Sequence, residues 1–160
     1  MNPISFSYSK EIDRLHGSLI YRESEYSFDF SSSSEEQLKS RIGSRGCMSV
    51  GVSTLQIEVG VETGRLLYPW GFFPLLDVGY ERVILPNIVP GGVFVKLSRS
   101  ELKQGVSFDI PNSEHWRVTH DIDSGWVHIG QSRNFCRQST YIEFADNSVV
   151  GIFKGEINCI

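Results

Sequence analysis

Cysteine is scarce in this sequence, and the spacings that would give it a structural role are absent. Cys47, Cys136 and Cys159 lie far apart and form no CxxC pair. Neither a disulfide framework nor a zinc site is therefore indicated. We expect reduced thiols, no metal ion and no other cofactor.

Long apolar runs and clustered positive charge are also lacking. No stretch approaches the roughly 18 apolar residues of a membrane span, and the N-terminal residues lack the apolar core of a signal peptide. The 15 Lys and Arg residues are scattered, and the net charge is -4. This charge distribution disfavours a surface that follows nucleic-acid phosphates. We expect a cytoplasmic protein that binds neither a membrane nor nucleic acid directly.

Common catalytic signatures are missing as well. The glycine-containing stretches match neither GxGxxG nor a Walker sequence, no HExxH spacing is present, and GxSxG does not occur. Cys136 is the only thiol near positive charge, and a catalytic thiol would also need a neighbouring base. An enzyme is therefore the less favoured class.

What is present is the composition of an ordinary globular domain. The chain is 40% hydrophobic, 12% aromatic and 21% charged, and a chain of 160 residues can bury a core without covalent cross-links. Ten Phe and six Tyr favour β structure. Strand patterns follow one another without strand–helix–strand alternation. We predict a single domain over residues 1–160 that is mainly β, an antiparallel sandwich or a partly open barrel with one or two short helices.

The first quarter of the chain carries two strand signals and one helix signal. Residues 3–8 form a short strand, and residues 18–30 alternate over a longer stretch that we expect to pair with it. The serine run 31–34 precedes EEQLKSRIG, in which a serine cap, two early glutamates and Gly43 define a helix of about two to three turns. A flexible serine-rich linker is the alternative.

The middle of the chain contains two strands in opposite phase and a proline-interrupted segment. Buried positions are even over residues 48–52 and odd over residues 55–61, so the phase change at residues 53–54 indicates a bulge or a bend. Pro69 and Pro74 follow closely, and we expect their segment to be irregular because proline is excluded from central strands.

Residues 114–154 show the clearest two-residue alternation and predict two hairpins in series. The first turns at residues 123–125 and the second at residues 146–147, where Asp, Asn and Gly tolerate positive φ. A turn centred there places His120 opposite His128 on one face. Such a pair could act in a His-dependent nuclease or a metal-assisted hydrolase. No third group completes either site, so two hydrogen-bonded imidazoles on a sheet face are the simpler interpretation.

Acidic and polar side chains gather at these two turns. In a four-strand meander the first and third turns lie side by side at one end of the sheet. The candidate binding residues on the two turns and their flanking strands are Asp121, Asp123, Asp146, Asn147, Glu114 and Glu143. Exposed turns often carry function, and negative charge favours a basic partner. The alternative is that turns simply require Asp and Asn.

Two tryptophans are candidate anchors for a partner. Trp70 lies in the proline-interrupted segment, and Trp126 follows the first turn. Large aromatic residues dominate the buried centres of interfaces, although core packing is their commoner role. A third possible class is a β-barrel that binds a small ligand, with residues 70–73 lining its mouth.

The segments DIDSGWVHIG and YIEFADNSVVGIFKGEI, with the earlier LQIEVGVETGRLLYPWGFFP, resemble small immunity proteins of bacterial contact-dependent growth inhibition and related polymorphic toxin systems. The resemblance covers roughly half of the chain and contains no diagnostic motif. It implies a non-catalytic cytoplasmic protein that binds a cognate C-terminal toxin domain, such as a nuclease, over its active or substrate-binding site. Contact residues vary within such proteins, so the resemblance transfers none. Our own hypothesis is that Asp121, Asp123 and Asp146 replace phosphates in a basic cleft.

Overall fold

The structure, a computed structural model, describes residues 2–76 and 78–160. This part of the chain contains fourteen strands, one α-helix and one 3₁₀ turn, so the prediction of a mainly β fold is confirmed. The strands of the first half are β1 (Ile4–Ser9), β2 (Gly17–Arg22), β3 (Ser27–Ser32), β4 (Cys47–Val52), β5 (Leu55–Gly60) and β6 (Leu66–Phe72). The strands of the second half are β7 (Ile88–Pro90), β8 (Gly92–Leu97), β9 (Ser107–Asp109), β10 (Arg117–His120), β11 (Val127–Gly130), β12 (Thr140–Ala145), β13 (Ser148–Phe153) and β14 (Glu156–Cys159). The helix is α1 (Glu35–Ile42), and the 3₁₀ turn is Ser113–His115.

Two six-stranded sheets form the architecture, which is consistent with a sandwich and not with a closed barrel. One sheet has the order β2-β3-β6-β5-β4-β9, and the other has the order β10-β11-β14-β13-β12-β7. Neighbouring strands run antiparallel except at one edge of each sheet, where β9 pairs with β4 and β7 pairs with β12 in parallel. The predicted antiparallel arrangement therefore holds for all but these two edge pairs of the described sheets.

The core lies between the two sheets. Val50 and Ile57 from one sheet, and Ile142 and Phe144 from the other, are fully buried and belong to one connected apolar cluster. A separate pair, β1 with β8, adds Val93 to this cluster, and β8 contacts both β6 and β12. Burial of these apolar faces is the main driving force that holds the sheets together.

The strand expected over residues 18–30 is a hairpin of two strands, β2 and β3, and it does not pair with β1. β1 pairs instead with β8, more than 80 residues away along the chain, from Ile4 opposite Leu97 to Ser9 opposite Gly92. The break in the hairpin falls near Tyr26, which has a φ of 51°. Its positive φ reverses the chain at a residue type that gives no sequence signal for a turn.

The phase change between β4 and β5, where a bulge or a bend was expected, is the tight turn of a hairpin. Val52 pairs directly with Leu55, so residues 53–54 form a two-residue turn, and Ser53 has a φ of 56°. Directly paired residues share a face. Even positions of β4 and odd positions of β5 therefore point to the same core.

The helix signal at the serine run is confirmed. The Ser34 side chain caps α1 by accepting a hydrogen bond of 3.1 Å from the Gln37 amide, and Gly43 follows the last turn with a φ of 74°. Glu35 and Glu36 occupy the positive end of the helix dipole. Local capping chemistry is sufficient to set both ends of this helix.

The expectation that proline excludes a central strand at residue 69 is wrong. Pro69 lies within β6, opposite Ile57 of β5, and β6 lies between β5 and β3 in its sheet. Proline removes one hydrogen-bond donor from a strand. Within the described part of the chain β3 pairs with β6 only at Phe72 and Gly71, so pairing with β3 requires no hydrogen bond from Pro69.

Candidate functional site

The first turn of the C-terminal block is organised by Asp121. Its amide donates to the Trp126 carbonyl over 2.9 Å, and the Gly125 amide donates to the Asp121 carbonyl over 2.8 Å. Four residues, 122–125, therefore form the loop, and Gly125 supplies a φ of 83°. The predicted turn lay at this place but was assigned the wrong length.

The Asp121 carboxylate is used inside the protein. It accepts hydrogen bonds from the amides of Val83 (3.0 Å), Asp123 (3.1 Å) and Ser124 (3.3 Å), and only 7% of the residue is exposed. The hydrogen bond from the Val83 amide is the largest cause that lowers the pKa of Asp121 below its ordinary value, and the hydrogen bonds from Ser124 and Asp123 lower it further. The Asp121 carboxylate therefore connects the segment around Val83 to the turn. No local sequence pattern indicated this contact.

The second turn, at residues 146–147, is also tied to the body of the protein. The Asp146 carboxylate accepts hydrogen bonds from Arg14 Nε (2.6 Å) and the Gly17 amide (3.0 Å), and His16 Nδ1 lies 3.3 Å from it. Partial burial alone would raise the pKa of Asp146, but these three partners outweigh burial and leave the pKa below its ordinary value. Arg14 thus compensates the charge that was expected to face a partner.

Glu143 and Asn147 contribute to the same internal network. Glu143 Oε1 accepts a hydrogen bond of 3.0 Å from the Asn147 amide, and Glu143 Oε2 lies 3.8 Å from Arg14 Nε. Asn147 has a φ of 59°, which asparagine tolerates better than most residues. The Glu143 side chain and the Asn147 backbone therefore have local structural roles at the second turn.

The two turns lie at the same end of the sheet, as predicted, but not side by side. β11 and β13 run in the same direction because β14 is antiparallel to both, so the turns that precede β11 and β13 share an end. β14 stands between them, and the turn centres are separated by three strand spacings, or about 14 Å. The expected four-strand meander is interrupted because β14 follows β13 in the chain but lies beside β11.

Glu114 does not join this end of the sheet. It lies in the 3₁₀ turn before β10, whereas the first turn follows β10, so the two occupy opposite ends of that strand. Glu114 Oε1 is 3.5 Å from His115 Nε2, and both side chains are exposed. Asp123 differs from the other acidic residues proposed for binding. It is exposed, and its carboxylate has no hydrogen bond or ion pair within residues 2–76 and 78–160.

The expected pairing of His120 with His128 is wrong. His120 pairs with Val127, and His128 pairs with Thr119. Because paired residues share a face and successive residues alternate, the two imidazoles lie on opposite faces of the hairpin. The four-residue turn shifts the register by one position from that of a three-residue turn.

His128 is buried among aromatic rings. The residue is 5% exposed, its ring centroid lies 4.5 Å from that of Phe135, and Phe135 packs edge-on against Tyr141 at 5.5 Å. Gly130 lies directly below the imidazole, where an added Cβ would come within 2.9 Å of Nε2. Burial lowers the pKa of His128 and so favours the neutral imidazole.

A cavity of about 370 Å³ lies beside His128, between the two sheets. Residues of both turns border it, including Gly125 and Asn147. Tyr21 and Phe28 of the opposite sheet line its other side.

The two candidate tryptophans lie in different surroundings. Trp126 is half-buried and lines the cavity, whereas Trp70 lies on β6 and is 38% exposed. Pro69, next to Trp70 in the chain, also lines the cavity. Residues 70–72 of the segment that would line a barrel mouth in the third possible class therefore belong to strand β6 of the sandwich.

Exposed apolar side chains beside the first turn were missed at the sequence level. Ile122, Ile84 and Tyr80 are 68%, 74% and 58% exposed. Ile122 follows Asp121 and Ile84 follows Val83, the two residues joined by the hydrogen bond described above. The Tyr80 ring centroid lies 6.2 Å from that of His120, the residue before Asp121. We call Tyr80, Ile84, Ile122 and Asp123 the turn patch. The sequence signal that could have revealed this surface was an isoleucine between two aspartates, because an apolar residue at that place in a turn is exposed.

The described residues, 2–76 and 78–160, contain no group of three or more His, Cys, Asp or Glu side chains arranged to hold a metal ion. Within the same residues, no helix combines the length and apolarity needed to cross a bilayer. Comparisons with family models, curated proteins and solved structures return no match to this chain. The turn patch and the cavity are therefore interpreted from their own geometry.

Proposed function

We propose that this protein is an immunity protein that binds a cognate toxin domain and blocks its active or substrate-binding site. The observation that supports this proposal is the turn patch, where Ile122, Ile84 and Tyr80 expose apolar surface at one end of the sandwich. Neighbouring exposed apolar side chains mark interaction sites more often than scattered ones. The resemblance to immunity proteins is the reason for choosing a toxin domain as the partner.

The turn patch has the arrangement expected of an interface centre with a polar rim. Apolar side chains supply the area that loses water on binding, and charged groups surround it. Asp123 is the exposed carboxylate at this rim, and Glu81 pairs with Arg133 over 2.7 Å nearby in the chain. A basic toxin surface would be attracted by Asp123 and by the net charge of -4.

The contact residues proposed here differ from the three aspartates, Asp121, Asp123 and Asp146, that the sequence suggested as substitutes for phosphates. Asp121 and Asp146 are engaged by internal hydrogen bonds, so an incoming toxin would have to break those bonds to use them. Within residues 2–76 and 78–160 the Asp123 carboxylate accepts no hydrogen bond that a toxin would have to break. We therefore propose that apolar contacts supply most of the affinity and that Asp123 contributes to association rate and register.

The test is binding to the toxin domain encoded directly upstream, measured by co-purification and calorimetry. Ile122→Asp combined with Ile84→Asp should weaken binding at least about thirtyfold, because the loss of even one hot-spot side chain costs about 2 kcal/mol or more. Val106→Asp is the matched control, since Val106 is 36% exposed and precedes β9 at an edge of the other sheet. Its affinity should equal that of the parent protein.

Two results would contradict the proposal at different levels. Unchanged affinity in the Ile122 and Ile84 variant would reject the turn patch as the contact surface. Absence of any complex, together with failure of the chain to protect cells that express the toxin, would reject the immunity function itself.

A further inference from the structure

We infer that the cavity beside His128 is a binding site for an uncharged, ring-containing small molecule that carries one hydroxyl or carbonyl group. The site adjoins the turn patch but is lined by other residues, because Tyr80, Ile84, Ile122 and Asp123 do not line it. The inference therefore does not depend on toxin binding. It rests on the unpartnered imidazole of His128, the chemistry of the lining and the size of the cavity.

His128 is a buried polar side chain without a partner. No hydrogen bond of the described residues, 2–76 and 78–160, involves a ring nitrogen of His128, and burial alone shifts its pKa, although the residue is only 5% exposed. The fully enclosed side-chain atoms that lack a partner in these residues belong to Arg41 and Arg65. The His128 nitrogens are thus not sealed off, and the side chain lines the cavity. Buried polar groups are normally satisfied, so a hydrogen-bonding partner inside the cavity would complete the site.

The lining determines the class of ligand. Among residues 2–76 and 78–160, no Asp, Glu, Lys or Arg side chain borders the cavity, so a charged ligand would lose its hydration without gaining an opposite charge from them. Aromatic side chains surround the space on several sides: Tyr21, Phe28, Trp126, Phe135 and Tyr141. Rings pack favourably against such side chains by stacking or edge-on contact. A flat, uncharged ring compound is therefore favoured over a nucleotide or a carboxylate.

The polar group of the ligand would meet the neutral imidazole. A neutral imidazole has one N–H donor and one nitrogen acceptor, so it can accept from a hydroxyl or donate to a carbonyl. Phe135 packs on the His128 ring at 4.5 Å and limits its rotation. The cavity volume of about 370 Å³ lies within the usual range for small-molecule sites. One directional bond in an otherwise apolar space would set the orientation of the ligand.

Three naphthalene derivatives test this inference on the full chain. 1-Naphthol carries a hydroxyl group, naphthalene has no polar group, and 1-naphthoate has a negatively charged carboxylate in place of the hydroxyl. We expect 1-naphthol to bind about tenfold more tightly than naphthalene and to perturb the NMR signals of Trp126 and its neighbours. We expect 1-naphthoate to bind more weakly than both. Failure of 1-naphthol to bind at millimolar concentration, or tighter binding of 1-naphthoate, would overturn the inference.

His128→Phe separates the hydrogen bond from the apolar contribution, because it keeps a ring and removes both nitrogens. The variant should bind 1-naphthol about tenfold more weakly, equivalent to about 1.4 kcal/mol, and should bind naphthalene as the parent does. His120→Phe is the matched control, since His120 lies on the opposite face and does not line the cavity. Equal loss in both variants, or no loss in His128→Phe, would reject the role of His128.

A second variant keeps the test decisive if His128→Phe does not fold. Val149→Phe adds volume to the cavity lining and leaves His128 in place. It should abolish the binding of both 1-naphthol and naphthalene. Retained binding of either compound would place the ligand elsewhere and contradict the inference.

Discussion

The amide of Val83 donates a hydrogen bond of 3.0 Å to the carboxylate of Asp121, across 38 residues of sequence. This bond joins an irregular segment of the chain to the first turn. Ile84 and Ile122 are the neighbours of these two residues in the chain, and both are exposed. The carboxylate that sequence reasoning assigned to partner binding therefore positions the apolar residues of the turn patch.

Asp121→Asn should loosen this connection without changing the shape of the side chain greatly. We expect the amides of Val83, Asp123 and Ser124 to exchange hydrogen about tenfold faster, because hydrogen bonds to a charged acceptor are stronger than those to a neutral one. Hydrogen-exchange NMR measures the change. Asp123→Asn is the control, because the Asp123 side chain accepts no hydrogen bond in the described residues; equal acceleration in both variants would contradict this role of Asp121.

Asp146 should make stability depend on pH in the acidic range. Its native pKa is lowered, so its contribution is complete above the unfolded value near 3.9, declines as the pH falls below that value, and is lost below the native pKa. At pH 7, Asp146→Asn should cost about 1–2 kcal/mol, reduced from the full value of charged hydrogen bonds because the side chain is partly exposed. Urea denaturation from pH 7 to pH 2 should show the difference from the parent protein shrinking towards acid. A difference that stays constant over this range would exclude the charge as its cause.

Ser34 caps α1, so we expect its replacement to destabilise the protein and the replacement of the neighbouring serine not to do so. Ser34→Ala should lower the free energy of unfolding by about 1 kcal/mol, because it removes the acceptor for an amide at the helix N-terminus. Ser33→Ala is the matched control, since Ser33 precedes the cap and its side chain makes no hydrogen bond in the described residues. Thermal and urea unfolding measure both. Equal loss in the two variants would argue against a specific capping role.

The centre of the sandwich should be the most sensitive part of the fold. Phe144 is fully buried, and Phe144→Ala should cost about 3–5 kcal/mol through lost burial and the cavity left behind. Phe144→Leu should cost less, because much of the volume is retained. Chemical denaturation measures both, and a similar small loss in the two variants would mean that the site is not tightly packed.

Some features of this protein could be predicted because they depend on neighbouring residues. The cap at Ser34, the glycine after α1 and the turn at residues 146–147 use chemistry that acts over a few residues. The alternation of β4 and β5 likewise follows from burial of one face of each strand. The acidic turns were located, but their role was not, because the partners of Asp146 and Asp121 come from distant segments.

Sequence alone therefore determined the mainly β character, the one well-capped helix and the presence of both turns in the C-terminal block. Only the tertiary structure decided that β14 lies between β11 and β13, that β1 pairs with β8, and that Pro69 lies within a strand. The tertiary structure also set the strand register that pairs His120 with Val127, so that His120 and His128 lie on opposite faces of the hairpin. The physical reason is that capping and alternation are local, whereas strand order and register depend on which apolar faces meet across the whole chain.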